Sequence, residues 1–357
     1  MPATAPAGGG ADGPDAPPSL LSRAGPLAVV AAAAIALPMV LGDSYWLHIV
    51  IYTLWFAYVC IAWNILAIGH QYSLMHTVFI GAGAYTSTLL FLGAKVSPWL
   101  GMLAGAAVAL ILGLIVGVMC FRAKLPPLAF VLITLAMTNI VEFVAGSLPE
   151  IGGTDGLVIM IVRNDPSNFV FVDKRVSYAI VLLMVVIALV ISRWVFGSKL
   201  GLYLRAIHET ERGAAAVGVN VFRYKMLGIG LSSLLVAPAG TFWAQYSGHV
   251  EPASTLGVQT SILIFLFVAL GGVGTFWGPI LGALVLVPVG ELIRFFLGAQ
   301  VPGLNTAVYG VIVVLVVVFM PQGAVGWWRE RRAALRSARA AVPTSAPPRT
   351  RAGGYAP

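Results

Sequence analysis

The segment ERGAAAVGVNVFRYK, residues 211–225, is small, polar and charged, yet it joins two oily runs. Before it stands YAIVLLMVVIALVISRWVF (178–196), and after it MLGIGLSSLLVAPAGTFWAQY (226–246). Each run is close to the roughly 20 residues that span a bilayer as a helix. A charged, alanine-rich connection between two such runs places the runs in a membrane and the connection at its surface.

The whole chain agrees. Of 357 residues, 59% are hydrophobic and only 10% charged, where soluble domains carry about a quarter. One aqueous core cannot absorb that much apolar surface, so the bilayer is the solvent for most of it. Forty glycines and 22 prolines suit membrane helices, whose neighbours re-satisfy interrupted backbone. The predicted class is an all-α polytopic membrane protein. The formal charge of +8 lies mostly in loops and in the tail RERRAALRSARA, as topological anchoring beside membrane lipid requires, and is not evidence for nucleic acid; a lipid- or RNA-binding tail is the lesser alternative. Cys60 and Cys120 lie inside apolar runs without CxxC spacing, which predicts buried packing rather than a disulfide or zinc site.

Residues 1–26 are rich in Pro, Gly and Ala and read as a disordered tail, while 326–357 form a basic, then Pro-rich, cytoplasmic tail. The transmembrane domain is placed at 27–325, with apolar runs near 27–42, 47–68, 73–93, 99–121, 127–148, 177–196, 225–247, 259–275, 278–297 and 304–320. These give about ten transmembrane helices. The run SILIFLFVALGG is short and passes into GGVGTFWGP, a broken hairpin tolerable only where it faces protein or a cavity. It shares a rhythm with AIGHQYSLMHTVFIGAGAY. Arg122, Lys124, Arg193, Lys199, Arg205, Arg212, Arg223 and Lys225 fall on one side by parity, with both termini. That side is predicted to be the cytoplasm, and the charge-balanced link 149–176 lies outside.

From Leu200 to Val217 good helix formers run to a stop at Gly218, and Asn220 can N-cap a second helical piece entering the next span. Ala214, Ala215 and Ala216 would let this corner approach another surface, with Arg205, Glu209, Glu211, Arg212 and Arg223 as a charged rim. A solvated connecting helix and a docking helix for a cytoplasmic partner both fit.

The spacing E-x-x-A-x-A-x-G followed by N-V-x-R-Y-K resembles the coupling loop of ABC-importer permeases, specifically the branched-chain amino acid (LivM-like) permease family. NILAIGHQYSLMHTVFIGAGAY, RAKLPPLAFVLITLAM, IGGTDGL, VAPAGTFWAQYSGHVEP and SILIFLFVALGGVGTFWGPILGALVLVPVGELIR are similar to further blocks of that family, covering roughly 50–320. His70 and Met75 replace glycines usual in the family, Asn139 stands where many members carry an acid, and Glu142 where a base often follows. The resemblance implies an ABC-importer permease subunit in a bacterial plasma membrane, partnered by a second, LivH-like permease, two ATP-binding subunits and an extracytoplasmic substrate-binding protein. The coupling loop would be 198–224, with Arg205, Glu209, Glu211, Ala214, Ala216, Gly218 and Arg223 facing the ATPase. The expected solute is a branched-chain amino acid, though urea and short amides are equally admitted. No cofactor is expected on this chain, because the partner subunits would bind ATP.

No enzyme constellation is present: HExxH is missing, the five histidines lack metal spacing, and GGVGTFWG lacks the lysine and hydroxyl of a phosphate loop. Polar residues inside apolar runs mark the candidate path, since each is expensive in lipid. They are Gln71, Ser73 and His76, with Thr134, Thr138, Asn139 and Glu142 in the fifth run. Thr134, Thr138 and Glu142 recur at i, i+4 and i+8, near one helix face; interhelical hydrogen bonding is the plainer role for each. Glu291 and Arg294, an i, i+3 pair near the outer end of the ninth run, read as mutual neutralisation. An ATP-independent carrier or channel remains a separate class that the broken hairpin and Glu142 would suit.

Overall fold

Apolar stretches with no water to bond their backbone must close their hydrogen bonds internally, and here they do so as helices. The computed structural model describes residues 44–159 and 165–297, together with positions 310, 311 and 314. The helices are α1 (Ser44–Ala67), α2 (His76–Ala94), α3 (Pro98–Arg122), α4 (Pro127–Ser147), α5 (Lys174–Gly197), α6 (Lys199–Glu209), α7 (Glu211–Ala216), α8 (Val221–Ser247), α9 (Pro252–Thr255), α10 (Val258–Gly271) and α11 (Gly278–Leu297). Eight helical stretches among the described residues are long and apolar enough to cross a membrane: α1–α5, α8 and α11, and Pro252–Gly271, which runs through α9 and α10. They match eight of the ten expected runs. The runs at 27–42 and 304–320, and both tails, lie outside the described residues. The protein is an all-α, multi-pass membrane protein.

Helix α1 is apolar on every side and forms the centre, packed against α5, α8, α10 and α11. Helices α2, α3 and α8 pack on one another beside it. At the α2–α8 crossing a Cβ on Gly240 would come within 1.8 Å of the Ile80 carbonyl oxygen, and one on Gly83 within 2.0 Å of that of Ala237. Only glycine permits such a backbone approach. Helix α4 instead presents Leu128, Leu132, Ile140, Phe143 and Val144 outward, as a lipid-facing helix must.

Pro238 interrupts α8, and the neighbouring central helix supplies hydrogen bonds on both sides of it. The Tyr58 hydroxyl donates to the Leu235 carbonyl, and the Trp55 indole N–H donates to that of Ala239 at 2.9 Å. At one end of the bundle, β1 (Leu157–Val158) pairs antiparallel with β2 (His249–Val250). The other end carries 68–75, 123–126, 198–220 and 272–277.

The structure corrects one local expectation. Leu200–Val217 is not one helix: Thr210 is extended (φ −161°, ψ 120°) and separates α6 from α7. The Thr210 hydroxyl accepts the Gly213 N–H at 3.3 Å, so a cap begins a new helix there. The second corner falls as expected, with Gly218 at φ +88° and Asn220 capping α8 by accepting the Arg223 N–H at 3.0 Å.

Candidate coupling and gating site

Helix α6 lies across the end of the bundle because its apolar residues recur at helical spacing. Gly201, Leu204 and Ile207 are buried, while Leu202 and Arg205 face outward. Leu204 occupies the space beside Gly69, whose Cβ would come within 2.9 Å of it. Arg205 donates to the Phe196 carbonyl at 3.2 Å and sits 5.8 Å over that ring, tying α6 to the end of α5. Glu209 is exposed.

Helix α7 is pinned by an ion pair between Glu211 and Lys225. Lys225 is buried, with its ammonium 5.6 Å over the Phe121 ring, while Glu211 is half-exposed. The charged rim named Arg223, which is exposed, but missed Lys225 as the anchor; its burial under α7 was the missing signal. Ala214 turns inward and is buried, so the outward small-residue surface comes from Ala215, Ala216, Val217 and Gly218. Clefts of about 490 and 400 Å3 flank the segment. One is lined by Lys124, Arg212 and Ala215, the other by Arg205, His208, Glu209 and Gly274.

Beneath α6 lie two breaks in the helical ladder, 68–75 and 272–277. Adjacent residues of α1 hold both. The Trp63 indole donates to the Ser73 carbonyl at 2.7 Å. Asn64 donates to the Thr275 carbonyl at 2.9 Å and accepts the Gly274 N–H at 2.8 Å. Non-helical backbone at such a place survives only if every polar group is paired, and a single buried amide pairs two of them.

The first break gathers most of the expected path residues. The Leu74 N–H donates to Thr134 Oγ1 at 3.1 Å, and the Thr138 hydroxyl reaches the Leu74 carbonyl at 2.8 Å. The Ser73 hydroxyl accepts the Met75 N–H at 3.1 Å, and buried Gln71 bonds locally to the Gly69 carbonyl at 3.4 Å. His76 Nε2 lies 2.8 Å from Ser232 Oγ, whose own hydrogen goes to the Ala62 carbonyl at 2.7 Å. Ser232 therefore accepts, and the imidazole donates through Nε2. Asn139 is not brought to this cluster; it bonds back to Leu135 at 3.0 Å. Glu142, one turn beyond Thr138, is half-buried. Ser73, Thr134 and Thr138 thus each bond to backbone at the break. Asn64, Trp63 and Ser232 were not singled out, although Asn64 stood as a polar residue inside an apolar run.

His70 joins break and coupling segment. Its backbone is left-handed (φ 60°), its ring stacks on His208 at 4.6 Å, and Nδ1 lies 3.4 Å from the His208 carbonyl. Burial holds the His208 imidazole below its ordinary range, His70 pushes the same way, and Glu209 opposes them. Among the described residues no three His, Cys, Asp or Glu side chains converge on a metal position.

The family described as the branched-chain amino acid transport system permease component matches residues 45–318. The chain belongs to this family. It is a family of transport-system permease components, not of enzymes. The permease is 30% identical over 162 residues to the high-affinity branched-chain amino acid transport system permease protein LivM of Salmonella typhimurium, covering 45% of this chain and 36% of that one. It is 27% identical over 129 residues to LivH of the same organism, covering 36% and 40% respectively. A probable LivM of Methanocaldococcus jannaschii is 26% identical over 233 residues, covering 61% and 66%. The permease thus spans only about a third of the length of the first of these relatives. No solved structure matches it.

Proposed function

We propose that this permease is a membrane-spanning subunit of an ABC importer for branched-chain amino acids, driven by ATPase subunits that dock on α6–α7. The observation that carries the reading is the outward corner Ala215–Gly218, tied to α8 through the Glu211–Lys225 pair and flanked by clefts on both sides. A small-residue projection tied to a spanning helix transmits displacement; an untethered loop would absorb it.

Two ATP-binding subunits would hold the nucleotide, a second, LivH-like permease would complete the pathway, and an extracytoplasmic binding protein would deliver solute. The names of the LivM and LivH relatives support that company. The basic end, with Arg122, Lys124, Lys199, Arg212 and Arg223, would face the cytoplasm of a bacterial inner membrane. Movement of α6 would pass through Leu204 against Gly69 and through the His70–His208 stack into the 68–75 break, opening and closing the route.

The test is ATP-driven uptake of L-leucine by the intact importer, wild type against Ala216→Arg. The arginine should abolish uptake while membrane insertion is preserved. Undiminished uptake by the variant would refute docking at this corner.

A further inference from the structure

The end of the bundle opposite α6–α7 carries two adjoining clefts, of about 200 and 290 Å3. Tyr52, Phe56, Gln259 and Leu263 line both, so the two share a wall. The first runs between α1, α10 and α11 to Glu291 and Arg294. The second passes beneath α9 and includes Thr255.

Two polar groups at these clefts, one partly buried and one buried, are poorly served by the described residues. The Glu291 side chain is only 15% exposed, and Arg294, at 3.9 Å, is 70% exposed. One contact at that distance leaves most of the carboxylate's acceptor capacity unused. Thr255 is 3% exposed, and its hydroxyl has no hydrogen-bond partner among the described residues. The expected Glu291–Arg294 pair is present, but it leaves Glu291 with acceptor capacity to spare and does nothing for the Thr255 hydroxyl.

We propose that these clefts bind the transported solute directly, as a zwitterionic α-amino acid with a branched apolar side chain. Glu291 receives its ammonium, Arg294 its carboxylate, and Leu263, Phe267, Leu286 and Val287 enclose its side chain. The proposal deepens the importer reading and rests on it. An α-amino acid carries both charges on one carbon, so acceptor and donor must stand one helical turn apart, as the i, i+3 pair does. Charge-assisted bonds from the ammonium to Glu291 and from Arg294 to the carboxylate are the strong kind, and the guanidinium fork suits a carboxylate. The Tyr52 ring, 4.9 Å from that of Phe56 and 5.3 Å from that of Trp243, adds an aromatic face favourable to an ammonium. The apolar wall selects against urea and short amides, which have no side chain to bury.

The experiment measures equilibrium binding of tritiated L-leucine to the full chain, purified in nanodiscs with the subunits it retains. Wild type should bind leucine, and isoamylamine and isovalerate, each lacking one charge, should compete at least ten-fold more weakly. Glu291→Gln and Arg294→Gln should each weaken leucine at least ten-fold. Leu263→Trp, which keeps both charges, should exclude leucine yet retain glycine. Leucine uptake by the intact importer with no binding to the wild-type nanodiscs, or with all three variants unchanged, overturns the subsite and leaves the importer reading standing. Failure of the intact importer to move any amino acid overturns that reading, and the subsite with it.

Discussion

The hydroxyl of Thr138 lies 2.8 Å from the carbonyl oxygen of Leu74, and together with Thr134 it satisfies both backbone groups of a residue that belongs to no helix. Two hydroxyls one turn apart on α4 replace the ladder that the 68–75 break gives up.

Thr138→Val removes that partner and strands a part-buried carbonyl. The loss should be about 1–2 kcal/mol, more than the roughly 0.6 kcal/mol of an average interhelical hydrogen bond in a membrane. A drop in Tm of the detergent-solubilised protein, restored by Thr138→Ser, checks this. A Tm unchanged by valine would show that the break holds itself.

Asn64 pairs with both backbone groups at the second break. Asn64→Asp keeps the acceptor and loses the donor, whereas Asn64→Leu loses both. Transport and thermal stability should therefore fall in the order wild type, aspartate, leucine. Labelling of a cysteine introduced at Val273 separates these cases, since a loosened break exposes that position in proportion to the bonds lost.

The helices were legible because bilayer length and apolar composition constrain them tightly: the run at 127–148 became Pro127–Ser147, with proline at its first turn. The division at Thr210 was harder to see. Every residue of LRAIHETERGAAA except the glycine tolerates a helix, and only a threonine followed by Glu211 hinted at a cap. The i, i+4 spacing of Thr134 and Thr138 correctly put them on one face, but periodicity says nothing about what that face meets. That it meets the Leu74 backbone, and that Trp63 and Asn64 clamp two distant breaks, are facts of tertiary packing with no local signature.

Glu211 and Lys225 should respond asymmetrically to neutralisation. Glu211→Gln leaves a buried ammonium without its counter-charge, costing about 1–3 kcal/mol. Lys225→Met leaves a half-exposed carboxylate that water can solvate, and keeps an apolar stem over Phe121. The double variant should recover most of the stability lost by Glu211→Gln. Chemical denaturation of the four proteins checks the cycle, and equal losses for both single variants would contradict it.

The His70–His208 stack should loosen in acid. Because the folded pKa of His208 is depressed, the open state binds a proton more readily than the packed one. The stability of the contact is complete above the ordinary histidine value of about 6.5 and is lost as pH falls from there toward the depressed value. Arg205 and Glu209 on α6, and His70 and Tyr72 on the break, are the titratable or charged groups that surround it. A spin label at exposed Leu202 should gain mobility on acidification, and His208→Gln should abolish the change.

The central claim, a permease driven by ATPases docked at α6–α7, is tested most directly by purifying the tagged chain from its native host in mild detergent and quantifying what it retains. The account predicts a stoichiometric ATPase and a second permease with the wild type, and with Ala216→Arg the second permease without the ATPase. A wild-type chain that emerges alone and still moves solute across vesicles without ATP would contradict it.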